Sequence, residues 1–472
     1  MTRLSNASAE MLDGRILRSV YDRPQTPGVV HLGTGAFHRA HQAVYADAAL
    51  EQGDPAGAIL SVCLRSPTAR DQLAPQDGLF TVTERSGEEA VTRLVRSVND
   101  VLFAPRSPRD VIEALAAETT GLVTLTVTEA GYLAGPSGDL DLASQAVSAD
   151  LKGEGAPLSI YGFLRRALHE RRAEGRRGLT VLSCDNLAAN GRRLAAWLDQ
   201  FLRAADPELA AWARAECRFP SSMVDRIVPA TTTADRDDLL ARLGVDDHAA
   251  VFTEPFSQWV VEDAFVGDRP RWDAGGAQFV GDVASYETAK LRMLNGAHSA
   301  LAYIGLGEGW TFVHEAIRDP RIGDRVERVM RTEAAASLFP TPGQDLQTYA
   351  DRLIERFSNP ALNHRLDQIA KDGSEKIVQR WLPVLAHHQA ADRSCPATLE
   401  ALAAWVLFVR GDRGPVVDPL ADRLADLWAQ AGAEDIAAAL FGRGGLLSAH
   451  WTASPVNLTR LTELIHDEGR TG

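Results

Sequence analysis

The chain has 472 residues, 45% of them hydrophobic and 24% charged, with 49 basic against 63 acidic side chains for a formal charge of −14. That length exceeds one ordinary core, so two domains are expected, and the composition excludes a disordered or fibrous protein. The acidic balance excludes nucleic acid as a partner, because phosphate binding needs a basic face; any anionic substrate must be met by locally placed Lys or Arg. Cys63, Cys184, Cys217 and Cys395 follow no CxxC or Cys/His spacing and read as reduced thiols. The N-terminal stretch lacks the apolar core of a signal peptide, and no window reaches about 18 apolar residues, so a cytoplasmic location without a membrane partner is expected.

Residues 28–32 (GVVHL) predict a buried strand running into a turn at Gly33. The segment Gly33-Thr34-Gly35-Ala36-Phe37-His38-Arg39 then opens a helix, which is the context of a dinucleotide fingerprint. Gly33 permits the tight turn, and Gly35 lets the backbone approach a pyrophosphate at the helix N-terminus. His38 stands where the usual pattern has its third glycine, and a plain tight turn explains the two glycines equally well. His38 and His41 are spaced like metal ligands, but no third ligand is near, so no metal is expected.

A second strand is predicted over residues 58–64 (AILSVCL). It runs into Leu64-Arg65-Ser66 instead of the acid that usually binds the adenosine ribose, and the next acid is Asp71. Arg65 could face a 2′-phosphate, which leaves NAD against NADP open. Strands follow at 122–127 (LVTLTV) and 179–184 (LTVLSC), with helices predicted over 109–117 and 191–205. Alternating strands and helices predict a parallel sheet covered on both faces. The last strand leads into Ser183-Cys184-Asp185-Asn186, at the carboxyl edge where open α/β sheets place their sites. Asn186 is a candidate oxyanion donor there, and Asp185 a candidate helix cap.

From about residue 286 the pattern becomes helical, with amphipathic stretches over 324–335, 349–357, 399–409 and 419–429 and no β runs. At its start lies the densest chemistry, in Tyr286-Glu287-Thr288-Ala289-Lys290-Leu291-Arg292-Met293-Leu294-Asn295-Gly296-Ala297-His298. On a straight helix with Lys290 at 0°, Glu287 falls at about 60°, His298 at about 80° and Asn295 at about 140°. One arc thus carries an acid, an amine, an amide and an imidazole, interleaved with Leu291 and Leu294. Asn and His are mediocre helix formers for a solvated face, and the leucines point the arc inward, although Gly296 could end the regular helix. Such a set suits ketone reduction, which needs a proton donor and groups that stabilise a developing alkoxide. Lys290 would be the acid–base, Asn295 an oxyanion donor, His298 a holder of a substrate hydroxyl and Glu287 a proton relay.

Eight ordered segments, GTGAFHRAHQ, LRSPTARDQLAPQDGLFTV, TVTEAGY, SCDNLAANG, MVDRIVP, EPFSQWVVED, KLRMLNGAHS and DGSEK, together resemble the long-chain mannitol dehydrogenase family. That family includes mannitol 2-dehydrogenases, D-arabinitol dehydrogenases and fructuronate reductases. The resemblance implies an α/β chain with a Rossmann-type dinucleotide-binding domain over residues 1–285 and a mostly helical substrate and catalytic domain over 286–472, with the active site between them. It implies a metal-independent, NAD-dependent enzyme, with NADP left open, acting on a sugar acid or polyol as a monomer or weak oligomer. By motif position, Lys290 would be the acid–base, Asn186 and Asn295 the oxyanion donors, His298 a substrate contact and Glu287 the relay acid. Asp225 in MVDRIVP and Glu129 in TVTEAGY would line the substrate cleft. Gly33, Gly35, Phe37, His38, Arg39 and Arg65 would hold the cofactor, the family's turn being similar in its Phe-His-Arg segment. KLRMLNGAHS is more similar to the fructuronate reductase branch, and Lys376 with Arg380 could pair a uronate carboxylate. The expected reaction therefore interconverts fructuronate and D-mannonate, with a mannitol or arabinitol dehydrogenase as the alternative.

Overall fold

A computed structural model describes residues 2–24 and 26–469. The chain forms two compact units, one ending at Val283 and the next beginning at Ala284. In the first, five short strands pair in parallel: β1 (Val29–Leu32), β2 (Ile59–Cys63), β3 (Val98–Phe103), β4 (Leu122–Leu125) and β5 (Thr180–Ser183). Their order is β3-β2-β1-β4-β5, so the winding direction reverses between β1 and β4. Every residue of β1, β4 and β5 is buried, which is why they read as almost unbroken apolar runs. Val30 and Leu32 pack into one core with helices Pro108–Ala116, Ile160–Ala173 and Asn190–Ala205, while Val29 joins a second core with Ala43, Ala46 and Trp259.

The sequence pattern passes over β3. Its middle residues, Asn99 and Asp100, are polar and partly exposed because β3 lies at the edge of the sheet, where one side of the strand meets solvent. Two further sheets also escape the pattern. One joins Leu17–Arg18, Glu89–Val95, Phe80–Ser86 and Val251–Thr253; the other joins Gln278–Val280, Gln258–Glu262 and Ser222–Asp225. Their strands are short or mixed in polarity, and apart from the hairpin of Phe80–Ser86 with Glu89–Val95 their partners are separated by longer stretches of chain. The buried Asp247 ties the first of these sheets together, accepting from the Thr81 amide at 2.6 Å, the Thr81 hydroxyl at 2.7 Å and Gln76 Nε2 at 2.8 Å.

The second unit forms helices, and no strand is assigned among its described residues. The helix expected to be amphipathic over 399–409 is instead buried all round: in Pro396–Phe408 only Pro396 and Glu400 escape burial. Such a helix cannot hydrate its own N-terminus, whose first amides have no partner within the helix. Glu333 supplies one. Its carboxylate accepts from the amides of Ala397 (2.8 Å) and Thr398 (2.7 Å), from the Thr398 hydroxyl (2.6 Å) and from Cys395 Sγ (3.1 Å). No helix among the described residues is long and apolar enough to cross a membrane.

Removing that carboxylate strands several buried donors together. Glu333→Ala is expected to lower the unfolding free energy by about 3 kcal/mol, measured by urea denaturation. An unshifted midpoint would mean that the amides find other partners.

Candidate functional site

β1 ends at Leu32, and the chain turns at Gly33 with φ +106°. A Cβ at Gly33 would lie 2.1 Å from the Thr126 carbonyl oxygen, so the turn runs against the end of β4 at a distance that only glycine allows. Gly35 is extended and precedes helix Ala36–Ala40, where an added Cβ would meet only the Gly33 carbonyl at 3.8 Å. Over this turn lies a cavity of about 620 Å³, lined by Gly33, Gly35, Arg39, Arg65 and the ends of β2 and β4. Its place, at the carboxyl edge where the winding reverses, is where open α/β sheets bind ligands.

Arg39 braces the turn. Its buried guanidinium donates to the carbonyls of Gly35 (3.3 Å) and Ala249 (2.5 Å), and burial holds its pKa down at about 10. Phe37 and His38 do not line the cavity. Phe37 stacks on His41 at 4.9 Å, while His38 is fully buried beneath the turn, its ring parallel to His31 at 3.5 Å. His38 bonds Gln42 at 3.1 Å and Ser61 at 3.2 Å. The third glycine of a dinucleotide turn serves close packing of helix on strand. Here two stacked imidazoles fill that space.

The ends of β4 and β5 are joined by Asp185. Asp185 was expected as a helix cap, but the helix Asn190–Ala205 has no side-chain cap. The Asp185 carboxylate instead accepts from the amides of Val127 (2.9 Å) and Thr128 (3.0 Å) and from the Tyr132 hydroxyl (2.7 Å). These contacts hold Thr128 at φ +64° and ψ 165°, a region that side chains other than glycine's avoid. Neither Thr128 nor Tyr132 carries a sequence signal for this role, because the partners lie more than fifty residues from Asp185. Glu129 follows Thr128 and is exposed at the start of a 3₁₀ turn. Asn186 follows Asp185 and is exposed beyond the carboxyl end of β5, while Asp225 is buried at the end of Ser222–Asp225, opposite Gln258.

In the second unit, the helix that begins at Ala284 changes character at Lys290. Residues Lys290–Asn295 form a π turn, in which the Gly296 amide donates to the Leu291 carbonyl five residues back, and an α-helix resumes over Gly296–Gly307. Gly296 therefore does not end the helix. A π turn also holds an extra residue, so side chains beyond it are rotated by about 100° from their straight-helix positions. The angle for His298 is corrected accordingly, and Asn295 lies within the widened turn itself. Glu287, Lys290, Asn295 and His298 are all half-buried.

His298 packs on Phe357 at 4.6 Å and edge-on to His364 at 5.2 Å. Burial, then His364, Arg356 and Arg380, hold its pKa well below the ordinary range, so the imidazole is neutral at pH 7. Arg380 donates to the Ser299 hydroxyl at 2.7 Å and to the Asn295 carbonyl at 3.1 Å, on the π turn, and burial lowers its pKa to about 10. Lys376 lies one turn earlier, its ammonium donating to the carbonyls of Ile369 (3.1 Å) and Lys371 (2.5 Å). Arg356 and His364 were not among the residues expected from sequence. Among the described residues, no group of three His, Cys, Asp or Glu side chains is gathered to hold a metal ion.

A parallel sheet of order 3-2-1-4-5 with a glycine turn under a cavity, followed by a helical unit bearing an amine, an amide and an imidazole, defines a two-domain dehydrogenase. The family model described as the mannitol dehydrogenase Rossmann domain matches residues 27–274, and that of the mannitol dehydrogenase C-terminal domain matches residues 282–446. The chain belongs to the mannitol dehydrogenase family. It is 40% identical to the D-mannonate oxidoreductase of Escherichia coli (strain K12) over 430 residues, 89% of this chain and 88% of the relative. Its structure is similar to a D-sorbitol dehydrogenase in substrate-free form, with TM-score 0.92, 30% identity, and 100% and 99% of the two chains covered. It is also similar to a Pseudomonas fluorescens mannitol 2-dehydrogenase in ternary complex with NAD and D-mannitol, with TM-score 0.79, 35% identity, and 100% and 98% covered.

Two outcomes test this geometry. Asp185→Asn keeps only one acceptor oxygen for three donors and is expected to cost about 2 kcal/mol of stability. Adding Thr128→Gly should recover about 1 kcal/mol by removing the strained conformation; denaturation curves that show no recovery would exclude strain at Thr128. The second concerns His31, whose pKa burial lowers to about 3. The unfolded chain binds a proton near pH 6.5 that the native state refuses, so this stability is complete above that pH and is lost as the pH falls toward 3. Between pH 7 and 5 the wild type should lose about 2 kcal/mol more than His31→Asn.

Proposed function

We propose that this protein is an NAD-dependent oxidoreductase that interconverts the ketouronate fructuronate and the aldonate D-mannonate. The observation that carries the substrate class is the charge around His298: of the titratable neighbours that act on it, Arg356 and Arg380 are positive, and burial keeps His364 below its ordinary pKa. Such a set suits a carboxylate better than a neutral chain of hydroxyls. The E. coli relative named D-mannonate oxidoreductase supports the same assignment.

The cavity over Gly33 and Gly35 fits a dinucleotide: the backbone is open at Gly35, and both arginines of the lining are positive. The bound dinucleotide supplies or accepts the hydride. Lys290 delivers the proton to the carbonyl oxygen as the ketone is reduced and takes it back in the reverse direction. Asn186 and Asn295 donate hydrogen bonds to that oxygen as charge develops, and Glu287 passes the proton toward solvent. His298, being neutral, offers one donor and one acceptor to a substrate hydroxyl. Asp225 and Glu129 orient the remaining hydroxyls. Arg380 meets the carboxylate, and Lys376, with two donors already given to backbone carbonyls, adds charge more than hydrogen bonds.

That engagement of Lys376 favours the second reading, a polyol dehydrogenase acting on mannitol or arabinitol, for which the mannitol 2-dehydrogenase neighbour also speaks. A kinetic panel separates the two. Wild-type kcat/KM with NADH should be higher for fructuronate than for fructose, and Arg380→Ala should lower the first by about tenfold more than the second. Equal losses on both substrates favour the polyol reading. Lys290→Ala should lower kcat by about 10²- to 10⁴-fold on either substrate while leaving the dissociation constant of NADH unchanged.

A further inference from the structure

The ribose end of the nucleotide cavity departs from the pattern of an NAD-only site. In a Rossmann-type domain the adenosine 2′-hydroxyl is bound by an acid at the end of the second strand, and that carboxylate also repels a 2′-phosphate. Here β2 ends at Cys63, and the cavity wall continues through Leu64, Arg65, Ser66 and Thr68. Among the described residues, no acidic side chain lines the cavity. The nearest acid in the chain, Asp71, lies outside the lining and is paired with Arg70 at 2.8 Å.

Arg65 is exposed on this wall and makes no hydrogen bond or ion pair with any described residue. Its guanidinium thus has its full set of donors available, in contrast to Arg39, which is held by two backbone carbonyls. Beside it the hydroxyls of Ser66 and Thr68 stand 2.7 Å apart, both on the lining. An exposed arginine and two hydroxyls, with no carboxylate to oppose them, are the donors that a dianionic phosphomonoester takes.

We propose that Arg65, with Ser66 and Thr68, forms a 2′-phosphate subsite, so that the protein binds NADP(H) as well as NAD(H). The proposal rests on the reading that this cavity holds a nicotinamide dinucleotide, but not on the sugar substrate. It is tested by calorimetric titration of the full-length protein with NADH and with NADPH, no sugar present. NADPH should bind within about tenfold of NADH. Arg65→Ala should weaken NADPH by about tenfold and leave NADH within about twofold, because only the phosphate loses a partner. Ser66→Asp, which places a carboxylate on the wall, should weaken NADPH further than NADH. NADPH binding more than about a hundredfold weaker than NADH, or Arg65→Ala weakening both nucleotides alike, would overturn the proposal and leave the NAD reading intact. Failure of both nucleotides to bind would remove the cavity's assignment and the subsite with it.

Discussion

The approach of Gly33 to the Thr126 carbonyl is the contact on which the first unit's cavity depends. With no Cβ at Gly33, the chain leaving β1 turns directly over the end of β4, and the floor of the cavity is formed by backbone. Every other feature of that edge accommodates this closeness. Arg39 holds the Gly35 carbonyl from behind, and the His31–His38 stack fills the space between strand and helix. Asp185 gathers the loop after β4 by two amides and a hydroxyl, fixing Thr128 in a backbone conformation it would not adopt alone. Strain in one residue is thus held by a half-buried carboxylate from the neighbouring strand end, a common way to pre-organise a binding edge.

The second unit solves a different problem. A regular α-helix presents a fixed arc every turn, and four polar groups spread over about 140° would be shared with the leucines between them. The π turn at Lys290–Asn295 breaks that periodicity and re-aims the residues beyond it. Arg380 also donates to the Asn295 carbonyl, which couples the widened turn to the basic group proposed to meet substrate. The surroundings of His298 follow from the same packing. Two arginines and a second histidine are brought beside it from segments more than fifty residues away, and burial first, then these groups, keep the ring uncharged.

Much of this was legible in the amino-acid order. The apolar runs of β1, β2, β4 and β5 are visible because parallel strands covered on both faces are built mostly of apolar residues, with the few polar ones, such as His31 and Ser61, hydrogen-bonded. The glycine turn, the helical second unit and the cluster from Glu287 to His298 are local patterns, and local patterns survive in sequence. β3 was not legible, since an edge strand admits Asn99 and Asp100. Nor was the burial of helix Pro396–Phe408 on all sides, because its surroundings come from elsewhere in the chain.

Sequence by itself determined the fold class, the family and the chemical types available for catalysis, because these depend on residue identity and near-neighbour spacing. The tertiary structure decided which of those residues face a cavity and which are packed away. It turned His38 from a cofactor candidate into a ring stacked under the turn, Asp185 from a helix cap into a strand-to-strand clamp, and a regular helix into a π turn. The Asp185 clamp rests on partners distant in the chain, the π turn on a backbone hydrogen bond, and the His38 stack on how helix and strand pack, none of which a spacing rule encodes.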